Sequence, residues 1–191
     1  LDALAELQRQ YPRFDHRFTI EHYCISAPHH ARRLKALGAL ASVNNYFVHF
    51  RSQLHSGLGF GPDRAEATAR LGSLERAGVP FALHSDFSLV AVPLQPLLAA
   101  RIAVDRLALD GTTVMAPGER IPLQSALRAI TIEAAHVLRM DHLIGSIEVG
   151  KFADFAVLDA DPSEVPLAEI AAIPVWGTVL AGVKQAAHAR H

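Results

Sequence analysis

Val79-Pro80-Phe81-Ala82-Leu83-His84-Ser85-Asp86 is an apolar run of strand length that ends abruptly in polar residues and a carboxylate. Such a uniformly apolar run is typical of a parallel strand that is covered on both faces. In enzymes built on parallel strands, chemistry takes place where the carboxyl end of a strand opens into a loop. We therefore expect Asp86 to reach a catalytic site. The local pattern leaves one alternative, in which Asp86 caps the next helix.

Two earlier stretches repeat this pattern. Residues 17–22 and 39–43 are predicted strands, separated from each other and from residues 79–84 by helical patterns, and this alternation implies parallel βα units. The carboxyl ends of neighbouring parallel strands converge on one mouth. The side chains expected at that mouth are His22, Asn44, Asn45, His84 and Asp86.

The remaining elements follow from apolar periodicity and from Gly and Pro punctuation. Residues 46–61, with Gly57, Gly59 and Gly61, are predicted to form a long mobile loop over a site. The tail reads as a strand at 152–158 followed by a hairpin of 175–180 and 183–185, so we expect a domain boundary near residue 144. The predicted helices span residues 1–10, 28–37, 63–77, 97–109 and 122–140.

Composition narrows the function classes. The net charge is −1 without a basic cluster, which argues against a nucleic-acid partner. No apolar stretch reaches transmembrane length, so no membrane partner is expected. The single cysteine, Cys24, excludes a disulfide framework within the chain and favours a reducing, cytoplasmic location. Because residue 1 is Leu within a helical pattern, we expect the true start, and any targeting signal, to lie upstream.

His22 and Asp86 are the residue types that a metal-assisted hydrolase needs at such a mouth. Imidazole and carboxylate are ordinary ligands of Zn²⁺, which lowers the pKa of bound water to about 7. A carboxylate beside that water can accept its proton and pass it to a leaving group. The alternative for His22 is a hydrogen-bonded residue at the end of a strand.

Residues near the mouth are candidates for substrate contact. Tyr46 and His49 lie in the predicted loop, and His84 lies two positions before Asp86. For His49, substrate contact and plain solvent exposure are both open. His188 and His191 are expected to belong to a disordered tail.

Several of these stretches resemble the amidohydrolase superfamily, in particular its metal-dependent hydrolases of the YtcJ and AepA (exoenzyme regulatory protein) type. The segment after residue 145 is similar to the one that re-enters the small β-sandwich of that branch. The stretches that carry the resemblance are Ile20-Glu21-His22, Val79 to Asp86, Pro93-Leu94-Gln95-Pro96-Leu97, residues 126–135 and residues 145–158.

The resemblance implies an α/β fold in which the three strands are the last three βα units of a (β/α)₈ TIM barrel. It divides the chain into a partial barrel at residues 1–144 and a portion of a small composite β-sandwich at residues 145–191. By the same resemblance, His22 takes the place of a metal-ligand histidine. Asp86 takes the place of the aspartate that contacts metal and activates the hydrolytic water. The implied reaction is hydrolysis of C–N bonds other than peptide bonds in a small amide-type substrate, with a divalent metal, zinc by default.

The chain also departs from the family pattern, because it contains no His-x-His, which the family carries on its first strand. A whole barrel needs about 250 residues. We therefore expect the chain to be the carboxyl-terminal part of a longer enzyme, inactive by itself and without a tightly held metal.

Two other functions stay open. One is a non-catalytic scaffold or regulatory module, a homo-oligomer whose self-association covers the open barrel edge at residues 17–22. The other is a simple α/β binding module that uses the Gly-rich loop.

Overall fold

The computed structural model describes residues 1–87 and 93–186. His188 and His191 lie outside the described residues. The strands are β1 (Thr19–His22), β2 (Leu40–Val43), β3 (Phe81–Leu83), β4 (Phe155–Leu158), β5 (Val175–Leu180) and β6 (Val183–Ala186). The helices are α1 (Asp2–Gln10), α2 (His30–Ala36), α3 (Tyr46–Phe50), α4 (Ser52–Leu54), α5 (Pro62–Glu66), α6 (Leu71–Ala77), α7 (Pro96–Asp105), α8 (Leu123–Ala129) and α9 (Ile132–Val137).

The first sheet is parallel, in the order β1-β2-β3. All residues of β2 and β3 are buried, as their largely apolar composition predicts. Gly38 and Gly78 follow α2 and α6 with φ of 66° and 67°, so each takes the left-handed conformation that ends a helix before the next strand. The prediction of three parallel strands separated by helices is therefore confirmed.

The second sheet is antiparallel, in the order β4-β5-β6. The predicted hairpin is confirmed, with Leu180 paired to Val183 beside the turn. The predicted strand at 152–158 begins later, at Phe155, because residues 152–154 form a tight turn. The Asp154 carboxylate accepts a hydrogen bond from the backbone N–H of Ala181 at 2.6 Å.

The predicted helix over residues 63–77 was wrong, since the structure has two short helices, α5 and α6, there. Residues 67–69 leave the helical path to pair with the segment that follows β1. The Ala69 N–H donates to the Cys24 carbonyl at 2.7 Å, and Ile25 and Thr68 form an antiparallel bridge. Tertiary hydrogen bonding thus overrides the local helical pattern.

The predicted helix over residues 122–140 is also divided, into α8 and α9. The break lies at Thr131, where φ is −129° and ψ is −99°. The Thr131 hydroxyl donates to the Leu127 carbonyl at 2.8 Å, a local bond that competes with regular helix. The predicted helix over 97–109 ends sooner, at Asp105, because Arg106 takes a left-handed conformation.

The prediction of a loop over residues 46–61 was wrong as well. It contains α3, α4 and a π-helical turn, His55–Gly59. Tyr46 and Val48 on α3 are buried in the main core. Their burial was not predicted, because the sequence analysis assigned this segment to a loop.

One hydrophobic core joins the parallel sheet to α2, α6, α7 and α8. A 3₁₀ segment of the tail, Leu167–Ala172, packs against α7 and buries Ile170. The fold is mixed α/β, as expected. The assignment of the three parallel strands to a (β/α)₈ barrel, and the boundary near residue 144, stay predictions. In the described parts of the chain, no helix has the length and apolar character needed to cross a membrane.

Candidate metal centre at the carboxyl ends of the parallel strands

The three parallel strands end at the same edge of their sheet. The register places His22 beside Val43 and Val43 beside Leu83. Hydrogen bonds continue the pairing past the strands, since the Asn44 N–H donates to the His22 carbonyl at 3.1 Å and the His84 N–H donates to the Val43 carbonyl at 3.0 Å. The residues that follow each strand therefore meet at one place.

His22 stands at the centre of this group. Its Nε2 lies 3.5 Å from Oδ2 of Asp86, and its Nδ1 lies 3.3 Å from Nε2 of His84. The two imidazole rings stack with centroids 5.0 Å apart. The side chain of His22 is 47% exposed and that of Asp86 is 21% exposed, so the group is open to solvent and to a small ligand.

Glu21 adds a carboxylate to the group, and the sequence analysis did not single it out. Glu21, His22 and His84 each offer a donor atom, and these atoms lie within 4.8 Å of one another. A regular strand sends adjacent residues to opposite faces, which would separate Glu21 from His22. The left-handed backbone at His22, with φ of 64°, ends that alternation.

The backbone is strained at both residues that the sequence selected. His22 has φ of 64° and Asp86 has φ of 51°, conformations that cost non-glycine residues about 1–3 kcal/mol. Strain of this kind clusters at functional sites, where it fixes the direction of a side chain. The alternative, in which Asp86 caps the next helix, is not seen in the next described helix, α7, because its N-cap residue is Gln95.

The electrostatics favour a neutral His84. Its burial lowers the pKa of its imidazole, and the neighbouring His22 lowers the pKa further, against smaller opposing contributions from Glu21 and Asp86. A neutral imidazole has a free nitrogen lone pair, which is the form that binds metal ions.

Tyr46 and His49, predicted to contact substrate, have structural partners. The buried Tyr46 hydroxyl donates to the Gln95 carbonyl at 2.6 Å, and burial raises the pKa of that hydroxyl. His49 Nδ1 hydrogen-bonds the Leu107 carbonyl at 2.7 Å. These contacts fix α3 against both ends of α7. A role of Tyr46, His49 or His84 toward substrate stays a prediction.

The donor set fits a divalent cation. Two imidazoles and two carboxylates are the ligand types that Zn²⁺ takes, at about 2.0–2.2 Å. Ligand atoms around a tetrahedral zinc ion therefore lie roughly 3–4 Å apart. The distance of 3.3 Å between Nδ1 of His22 and Nε2 of His84 matches that spacing, and Glu21 offers a carboxylate to the same group. Asp86 lies at the other ring nitrogen, 3.5 Å from Nε2 of His22, so an ion bound to that nitrogen would be shared with Asp86 instead.

Comparison with known families agrees with this chemistry. A model described as the amidohydrolase family matches residues 1–184 of the chain. The chain belongs to the amidohydrolase family. The earlier resemblance to this superfamily is thereby confirmed.

Two curated relatives show which members of the family the amidohydrolase chain is similar to. It is 35% identical over 149 residues to "Protein LONG AFTER FAR-RED 3" of Arabidopsis thaliana, which covers 77% of the chain and 25% of the relative. It is 32% identical over 111 residues to an N-substituted formamide deformylase of Arthrobacter pascens, which covers 58% of the chain and 20% of the relative. The amidohydrolase chain thus spans a quarter or less of the length of these relatives.

A solved structure supports the fold. The crystal structure of an adenosine deaminase from Xanthomonas campestris with bound zinc is 21% identical, with a TM-score of 0.63. The match covers 96% of the amidohydrolase chain and 42% of that structure's chain. At this identity the likeness establishes the fold and no more.

Proposed function

We propose that this amidohydrolase-family protein is a metal-dependent hydrolase that cleaves C–N bonds other than peptide bonds. The observation that carries the proposal is the meeting of His22, His84, Glu21 and Asp86 at the carboxyl ends of three parallel strands. The name of the deformylase relative, an enzyme of N-substituted formamides, supports the substrate class. The zinc in the adenosine deaminase structure supports the class of cofactor.

His22 would hold the metal, together with His84 or a neighbouring carboxylate. A divalent cation such as Zn²⁺ bound there supplies Lewis acidity, which polarises a carbonyl group and makes water acidic near pH 7. His84 is suited to its place beside the cation because burial keeps its imidazole neutral.

Asp86 is the residue that we propose moves the proton. Its left-handed backbone turns the carboxylate back toward His22, so that Oδ2 lies 3.5 Å from the imidazole. A carboxylate in this position accepts a proton from the attacking water and then delivers it to the departing nitrogen. The nitrogen then leaves as a neutral amine. Without this proton it would leave as an anion, which would add back to the carbonyl carbon.

On the scale of the fold, we propose that β1, β2 and β3 are the last three βα units of a (β/α)₈ barrel over residues 1–144. The sheet of β4, β5 and β6 would then form part of a small β-sandwich over residues 145–191. Catalytic groups of such barrels stand at the carboxyl ends of the strands, which is where the His22 group lies.

The proposed function is tested with the full-length protein on a panel of N-substituted formamides and related amides. We expect removal of metal by a chelator to abolish hydrolysis and added Zn²⁺ to restore it. Asp86→Asn should lower kcat by at least about 100-fold, because it removes the proton carrier, while zinc stays largely bound.

The matched control is Asp63→Asn, which changes an exposed carboxylate in the first turn of α5 and should leave kcat unchanged. Normal turnover in Asp86→Asn would reject the assigned role, and turnover that survives complete metal removal would reject the metal-dependent reaction.

A second candidate function is a scaffold that self-associates. Among the described residues, β1 pairs with β2 and with no further strand, and an unpaired strand edge favours association. A monomer in sedimentation at high concentration would reject this candidate, and hydrolysis by the monomer would favour the enzyme.

A further inference from the structure

Asn44 lies between the two residues that carry the proposed chemistry. It follows β2, the central strand, and its side chain is fully buried. Its backbone N–H donates to the carbonyl of His22 at 3.1 Å, and its side-chain Nδ2 donates to the carbonyl of Ser85 at 3.3 Å. One residue therefore links the ends of β1 and β3.

Both accepting carbonyls control the direction of a site residue. The Ser85 carbonyl shares a planar peptide unit with the nitrogen of Asp86, so holding that oxygen fixes the plane from which φ of Asp86 is measured. The His22 carbonyl likewise fixes the plane that follows His22. His22 and Asp86 both have positive φ, so each needs an outside contact to keep its conformation.

The amide of Asn44 is suited to this task. Its Nδ2 reaches across to the neighbouring strand end, which no aliphatic side chain could bind. Its Oδ1 is buried without a hydrogen-bond partner among the described residues. A buried unsatisfied acceptor costs free energy, so packing alone would favour an apolar side chain of the same size.

We propose that Asn44 is a positioning residue of the candidate metal centre, which holds the carboxylate of Asp86 against His22 by clamping the two strand ends. The inference rests on the proposed function for its purpose, since a fixed carboxylate matters where it serves a metal-activated water. Its geometric content, the dependence of the Asp86 backbone on Asn44, stands independently of that function.

Asn45 provides a matched control for the experiment. It is also fully buried, its Nδ2 donates to one backbone carbonyl, that of Ala99 at 2.7 Å, and its Oδ1 has no partner among the described residues. The bond of Asn45 reaches α7 rather than the strand ends. Asn44→Leu and Asn45→Leu therefore remove the same chemistry at adjacent positions with the same burial.

The test compares both variants with the full-length wild-type protein in two measurements. Crystal structures without metal report φ of Asp86 and the separation of His22 and Asp86, and chelator competition reports the Kd for Zn²⁺. We expect Asn44→Leu to release Asp86 from the left-handed conformation and to weaken zinc binding by about 10- to 100-fold. Asn45→Leu should keep the geometry and the Kd of the wild-type protein.

Two results would overturn the inference: an unchanged Asp86 conformation in Asn44→Leu, or an equal loss of zinc affinity in both variants. If the wild-type protein binds no zinc at this place, the proposed function fails, and the metal-free crystal structures still decide the role of Asn44. If Asn44→Leu does not fold, the smaller pair Asn44→Ser and Asn45→Ser decides it by the same two measurements.

Discussion

His22 combines three properties that together point to a ligand rather than to a structural histidine. It ends a parallel strand, its backbone is left-handed, and both of its ring nitrogens face a polar side chain, Asp86 on one side and His84 on the other. A histidine that only completed the hydrogen bonding of a strand end would need neither the strained backbone nor two titratable neighbours.

We predict that His22→Ala weakens zinc binding by the full-length protein by at least about 100-fold, because a lost ligand costs more than the loss of an outer partner. Chelator competition measures the effect. His142→Ala, which changes an exposed histidine after α9, is the control and should leave the Kd unchanged. Equal affinities of the His22→Ala and wild-type proteins would remove His22 from the ligand set.

At the residue scale, the sequence predicted which strand ends carry His22, His84 and Asp86, and the structure brings these side chains together. It did not predict Glu21, because strict alternation along a strand would turn that side chain away. It also predicted that Tyr46 lies in a loop, whereas the residue is buried on helix α3. Strand-end positions can be read from the sequence, but backbone twists beyond a strand end cannot.

Among the elements, the segment of residues 67–69 connects the core to the site. It pairs with residues 24–26, which lie shortly after the end of β1, and a buried arginine holds it in place. Arg106 is fully buried, and its guanidinium donates to the carbonyls of Thr68, Ala69 and Met115 at 2.9, 2.8 and 2.5 Å. Burial lowers the pKa of Arg106 to about 10, which leaves it charged at neutral pH.

We predict that Arg106→Met lowers the free energy of unfolding by about 3 kcal/mol, because three carbonyls lose their donor in a buried place. Urea unfolding followed by circular dichroism measures the change. Arg32→Met, at an exposed position on α2, should change it by less than about 0.5 kcal/mol. A similarly small effect of Arg106→Met would contradict a structural role for these hydrogen bonds.

The two helices that the sequence predicted as continuous are broken for different reasons. Periodicity ran through residues 63–77 and 122–140, and the breaks come from the pairing of Ala69 with Cys24 and from the side-chain bond of Thr131. The pairing of Ala69 with Cys24 is long-range and leaves no local trace in the sequence. The bond of Thr131 is local, but the apolar periodicity that predicted the helix continues through it. The parallel strands were predicted well because apolar runs are local signals, as are Gly38 before β2 and Gly78 before β3.

At the scale of the whole molecule, charged side chains connect the start of β1, at the end of the sheet opposite the site, to the region of α9. Arg17, just before β1, donates to Asp141 at 2.5 Å, and His136 of α9 hydrogen-bonds the same carboxylate at 3.1 Å. These partners, Arg17 first, hold the pKa of Asp141 well below its ordinary value of 3.8. The contacts of Asp141 with Arg17 and His136 hold α9 near the start of β1, away from the strand ends that carry His22, His84 and Asp86.

We predict a pH-dependent contribution from Asp141. A lowered carboxyl pKa stabilises the folded state above about pH 4, and the stabilisation is lost as the pH falls through the folded-state pKa. Asp141→Asn should therefore lower the free energy of unfolding by about 1–2 kcal/mol at pH 7, with a difference that shrinks below pH 4. Unfolding curves of both proteins between pH 7 and pH 2.5 measure it. A difference that is constant with pH would contradict the ionic origin, and Asp63→Asn gives the baseline.

The most direct test of the central claim is anomalous diffraction from crystals of the full-length protein grown with Zn²⁺. The account predicts an anomalous peak about 2.0–2.2 Å from a ring nitrogen of His22, with the carboxylate of Asp86 turned toward the peak. A fully occupied zinc site elsewhere in the protein, with His22 and Asp86 free of it, would contradict the account.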